Sequence, residues 1–112
     1  FTSGYRRNHP DKVAQIRDIV LANDPENYAA HRLVLAHGVV ELIQPDLPIN
    51  LPTLVMTCEN DSGSTPAMTR AIAAEINGAE VHIVASLQHL GLIEDPDTFS
   101  TPIADFLGRT VG

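Results

Sequence analysis

Apolar residues in the first part of the chain recur at helical spacing. Val13, Ile16 and Val20 share a face of a segment running from about Pro10 to Ala22. A second segment, Pro25 to His37, carries Tyr28 and Leu35, and Gly38 follows as a stop. The short apolar piece Val39 to Ile43 adds a further turn. QPDLPINLP, from Gln44 to Pro52, then holds three prolines and reads as a linker. Beyond it the rhythm changes. Leu54, Val55 and Met56 form a continuous apolar run, the mark of a strand covered on both faces. The spacing of Met68, Ile72 and Ile76 predicts a helix from about Pro66 to Ile76, ended by Gly78. Val81 to Ala85 reads as a second strand, SLQHLGLIED as a loop, and Pro96 to Leu107 as a last helix with Phe99, Ile103, Phe106 and Leu107 along one face.

Proline announces four of these helices in the same way. Pro10, Pro25, Pro66 and Pro96 each stand near a polar capping candidate, namely Asn8, Asp24, Thr65 and Asp95. Proline at the first helical position forfeits no hydrogen bond, because that N–H has no partner within the helix. The chain thus divides into a helical segment (1–44), a proline-rich linker (45–52) and a βαβα unit (53–112). A βαβ connection implies two parallel strands. Two such strands need further strands at their edges and helices on both faces. The first fifty residues supply no strand, so the fold class expected is α/β with an incomplete sheet.

Charge and composition narrow the functional classes. A net charge of −7 over 112 residues argues against nucleic acid or an anionic membrane surface as partner. The one basic pair, Arg6–Arg7, has no interleaved aromatics and reads as a solvated helix entrance. No apolar run reaches the roughly 18 residues of a membrane span. Phe1 to Pro10 has neither an initiator Met nor a signal-peptide layout, so the expectation is a piece of a longer, cytoplasmic protein. A single cysteine, Cys58, fits a reducing compartment and excludes an internal disulfide framework.

Chemistry concentrates just past the two strands. In open α/β sheets, ligands and catalytic groups gather outside the carboxyl ends of parallel strands. Asp61 follows the first strand and His89 the second. An Asp accepting a hydrogen bond from one imidazole nitrogen fixes the tautomer and leaves the other nitrogen free to take a proton.

The stretch from Pro52 to Leu107 resembles the C-terminal part of an α/β-hydrolase. That family ends a late core strand in Gly-x-x-Asp, whose Asp is the catalytic acid. A helix, a strand and a loop with the catalytic His follow, commonly with a His-Leu…Glu-x-Pro continuation; here His89-Leu90 runs on to Glu94-Asp95-Pro96. The first forty residues, DPENYAA (Asp24 to Ala30) above all, resemble the helical cap of the branch containing 3-oxoadipate enol-lactonases. The resemblance implies that Asp61 and His89 are the acid and histidine of a catalytic triad, and that the parent hydrolyses an ester, lactone or related small molecule without cofactor or metal. The family's Gly-x-Ser-x-Gly nucleophile elbow precedes the cap, and no serine here stands between two such glycines. The nucleophile is therefore expected in a missing N-terminal part, its natural partner. Two positions depart from the family pattern. Cys58 stands where Gly is usual, and Gln88 stands before His89.

Plainer readings compete at each position. Asp61 is otherwise a turn carboxylate and His89 an incidental loop histidine, although its leucine neighbours make an idle imidazole costly to bury. Glu59 and Asn60 read as loop residues. His9, His31, His37 and His82 lack metal-ligand spacing, Cys58 reads as a small buried hydrophobe, and Tyr5 and Tyr28 as packing residues. A receiver-like module would need a lysine after a later strand, but Lys12 is the only lysine. A catalytically silent hydrolase-fold assembly module is the other alternative. The chain alone is expected to be inactive, and its exposed half-sheet to self-associate or swap.

Overall fold

The computed structural model describes residues 1–38 and 48–110. The apolar piece Val39 to Ile43 and the start of the linker lie outside them. Three helices come first: α1 (Ser3–Asn8), α2 (Pro10–Leu21) and α3 (Pro25–His37). Then follow β1 (Leu54–Cys58), α4 (Pro66–Ala74), β2 (Glu80–Val84), α5 (Gly91–Glu94) and α6 (Pro96–Thr110).

Three of the four capping candidates cap their helices. Asp24 accepts from the Asn27 N–H, Thr65 from the Met68 N–H, and Asp95 from the Thr98 N–H and hydroxyl. Asn8 does not. It closes α1, a helix that the apolar periodicity is too short to signal, and His9 precedes Pro10 instead. Thr2 starts α1 by accepting the Tyr5 N–H, and Phe1 stacks on Tyr5 with ring centroids 5.1 Å apart.

β1 and β2 pair in parallel, with Leu54 opposite Glu80 and Cys58 opposite Val84. α4 packs on both strands and α6 on β2. Arg109 on α6 clamps Glu80 at the start of β2 with two 3.0 Å bonds. Among the described residues the sheet has only these two strands, so each has an unpaired outer edge. The expected cover on both faces of β1 is accordingly absent here: Leu54, Val55 and Met56 are half-buried, whereas Thr57 and Cys58 are buried.

The helix faces also differ from the periodicity. On α4 the covered stripe is Thr69, with Ile76 in the turn beyond, while Met68 and Ile72 are 52% and 53% exposed. The helix is alanine-rich on several faces, so spacing alone does not choose which stripe meets the sheet. It ends at Ala74 rather than Ile76, and the chain reverses through Asn77–Gly78, where Gly78 takes φ +76. On α6 the half-buried positions are Phe99, Pro102, Phe106 and Thr110; Ile103 and Leu107 remain exposed. Tyr28, read as a packing residue, is exposed on α3.

Candidate active site

β1 ends at Cys58, and the chain turns at once, with the Asp61 N–H donating to the Cys58 carbonyl. Thr57, buried on β1, closes this loop from below: its hydroxyl donates to the Ser64 carbonyl at 2.6 Å. The loop wraps the Asp61 carboxylate. Oδ1 accepts the N–H groups of Gly63 and Ser64 at 2.8 and 2.9 Å. Oδ2 lies 2.8 Å from His89 Nδ1.

Burial acts to raise the Asp61 carboxyl, but the Ser64 N–H, the His89 imidazole and the Gly63 N–H outweigh it and hold the group below its ordinary value. Asp61 is therefore ionised at neutral pH. An ionised carboxylate only accepts hydrogen bonds, so Nδ1 of His89 carries the proton. In the neutral imidazole Nε2 then holds the free lone pair. Asp61 is 6% exposed, whereas the His89 side chain is 68% exposed. The carboxylate is enclosed and the imidazole opens outward.

The two loops are stitched together over several residues. The Glu59 N–H donates to the Val84 carbonyl at 2.8 Å and the Asn60 N–H to the Leu87 carbonyl at 3.0 Å. Glu59 Oε2 accepts the Ser86 N–H at 2.9 Å, where Ser86 takes φ +62. Glu59 and Asn60 thus do more than fill a turn, as does Thr57. The one clue to them in the sequence was their adjacency to Asp61.

Past His89 the chain enters α5, whose Gly91 faces Cys58. A Cβ at Gly91 would meet Cys58 Sγ at 2.5 Å and Leu87 Cβ at 3.0 Å. Gly91 has no left-handed φ, so space rather than conformation calls for glycine there. The Cys58 thiol is buried, and its pKa is raised by burial against the opposing pull of the Gly91 N–H. It is a packing group, as its position on the strand suggests. The other end of α5 is anchored by Glu94, whose side chain is buried and accepts both the N–H and the hydroxyl of Thr2 at 2.6 Å.

The remaining histidines stand apart from this pair. His9 packs on Tyr5, His31 and His37 lie on exposed α3, and His82 is half-buried on β2. Among the described residues no group of three His, Cys, Asp or Glu side chains could hold a metal ion, and no helix is long and apolar enough to cross a membrane.

No protein-family model matches the chain, and no curated protein matches it significantly. Solved structures do. The enol-lactonase of Burkholderia xenovorans LB400 superposes with a TM-score of 0.84 at 30% identity, over 96% of this chain and 40% of that one. A protein assigned as the non-heme bromoperoxidase BpoC, from Mycobacterium tuberculosis H37Rv, superposes with a TM-score of 0.54 at 17% identity, over 98% of this chain and 54% of that one. The chain thus spans about two-fifths and one-half of these two proteins. The parallel β1–β2 pair, its incomplete sheet and these likenesses agree: the chain has the fold of the C-terminal part of an α/β-hydrolase.

Proposed function

We propose that this chain supplies the acid and the histidine of a Ser-His-Asp triad for hydrolysis of an ester or lactone. The observation that carries the reading is the Asp61–His89 contact at 2.8 Å, made from adjacent loops at the carboxyl ends of two parallel strands. The chemistry of the likeness to an enol-lactonase supports the substrate class.

The geometry supports the following roles. Nε2 of His89 takes the proton of a nucleophile hydroxyl as that oxygen attacks the substrate carbonyl. Asp61 holds the ring in the required tautomer and stabilises the imidazolium that forms. His89 then delivers the proton to the leaving alkoxide, and in the second half-reaction it deprotonates water. No described side chain is hydrogen-bonded to Nε2. The nucleophile is assigned to a region outside these 112 residues, which would also pair the free strand edges and cover Met68 and Ile72 on α4. A cytoplasmic setting fits the single free thiol.

The test is hydrolysis of p-nitrophenyl esters and of an enol-lactone by the product of the complete open reading frame. Turnover should fall at least about 10³-fold in His89→Ala, and the 112-residue chain alone should show none above buffer. Unchanged turnover in both His89→Ala and Asp61→Asn would overturn the assignment, as would a complete reading frame without an elbow nucleophile.

A further inference from the structure

We propose that Glu59 is a positioning residue for His89, acting through the backbone of Ser86; this inference rests on the reading of His89 as the base. Ser86 occupies the left-handed region at φ +62, a conformation that a residue with a Cβ adopts at a cost and that glycine accepts freely. Its position is decisive. Ser86 lies just past β2 and starts the turn that delivers His89 three residues later.

One side chain holds that turn. Glu59 Oε2 accepts the Ser86 N–H at 2.9 Å, a charge-assisted bond that offsets the cost of the left-handed backbone. Glu59 is itself fixed, because its N–H extends the parallel ladder to the Val84 carbonyl at 2.8 Å. The neighbouring Asn60 N–H reaches the Leu87 carbonyl at 3.0 Å, and the Gly91 N–H reaches the Gln88 carbonyl at 2.8 Å. Among the described residues, the Ser86 N–H is the one backbone group of this turn held by a side chain. Without it, the turn can relax toward an ordinary φ at Ser86, and His89 swings away from Asp61.

The readout is solvent exchange of the His89 Nδ1 proton, followed by NMR on the product of the complete open reading frame. Glu59→Ala should accelerate it by about three- to tenfold, the scale of one exposed charge-assisted hydrogen bond. Glu59→Gln retains an acceptor oxygen without the charge and should fall between wild type and Glu59→Ala. Ser86→Gly removes the backbone cost, so the Glu59→Ala/Ser86→Gly double variant should return to slow exchange. An unchanged rate in Glu59→Ala, while Asp61→Asn does alter the signal, would overturn the role of Glu59 and leave the Asp61–His89 pair standing. A folded double variant that still exchanges fast would also overturn it. Absence of a protected Nδ1 proton in the wild type would instead sink the reading of the pair, and this inference with it.

Discussion

Replacing Gly91 by alanine tests how the His89 segment is seated on the strand that carries the acid. The new Cβ would lie 2.5 Å from Cys58 Sγ, 3.0 Å from Leu87 Cβ and 3.2 Å from Leu87 Cδ1. Ordinary contact begins near 3.5 Å, so α5 must retreat by roughly 1 Å or Cys58 must move. Cys58 is 3% exposed and fixed on β1 opposite Val84, which leaves the retreat to α5. Overpacking of this kind costs about 1–3 kcal/mol. Native-state hydrogen exchange at the Asn60 and Gly91 amides, which donate to Leu87 and Gln88, reads that cost locally. Their protection should drop by about 5- to 150-fold in Gly91→Ala. Removing the sulfur should rescue it. In a Cys58→Ala background the added methyl enters the space Sγ leaves, and the Gly91→Ala cost should fall below about 1 kcal/mol. The remaining strain is the Leu87 contact. A coupling of about 1–2 kcal/mol in the double-mutant cycle is therefore expected. Equal costs in the two backgrounds would refute the idea that Cys58 and Gly91 fit one another.

Three further outcomes are expected. Asp61→Asn keeps an oxygen for the Gly63 and Ser64 N–H groups but turns an amide NH₂ toward Nδ1, so imidazole ¹⁵N shifts should show the inverted tautomer; in the complete enzyme kcat should fall by about 10⁴, and an unchanged tautomer would contradict this. The Asp61 carboxyl lies below its ordinary value in the fold, so the stability it contributes is complete above the unfolded value of about 3.9 and is lost as pH falls through the lower folded value. The Gly63 and Ser64 amides should accordingly stay protected to below about pH 4, and loss of protection above that pH would oppose the assignment. Thr2→Val deletes both the cap of α1 and the hydroxyl bond to the buried Glu94 carboxylate, a loss of about 1–3 kcal/mol, so tryptic cleavage at exposed Arg6 and Arg7 should quicken by roughly tenfold or more. Unaltered cleavage would mean that α1 is held by other contacts.

The elements that sequence reasoning recovered are those with local causes. Proline after a capping residue marks the start of a helix without help from tertiary structure, as at Asp24, Thr65 and Asp95. A continuous apolar run of strand length found β1, and the acid–histidine pair was visible because both residues sit at fixed short offsets past the strands. Effects that join distant positions were not legible. Thr2 and Glu94 are 92 residues apart, and nothing in either local pattern foretells their contact. Nor does sequence reveal that Ser86 takes a left-handed φ, the fact that gives Glu59 its work. α1 and α5 contain six and four residues, too few to show a period. On alanine-rich α4 the periodic stripe was real, but the sheet takes Thr69 and leaves Met68 and Ile72 outside.

On the proposed reading, Asp61 holds His89 with Nδ1 protonated and Nε2 free for proton transfer. Long-range ¹H–¹⁵N correlation of the neutral imidazole, recorded on the product of the complete open reading frame, tests it directly. The expected result is the Nδ1–H tautomer with a slowly exchanging Nδ1 proton bonded to Asp61, unlike exposed His31 and His37. A dominant Nε2–H tautomer at His89, or exchange as fast as at those two histidines, would contradict it.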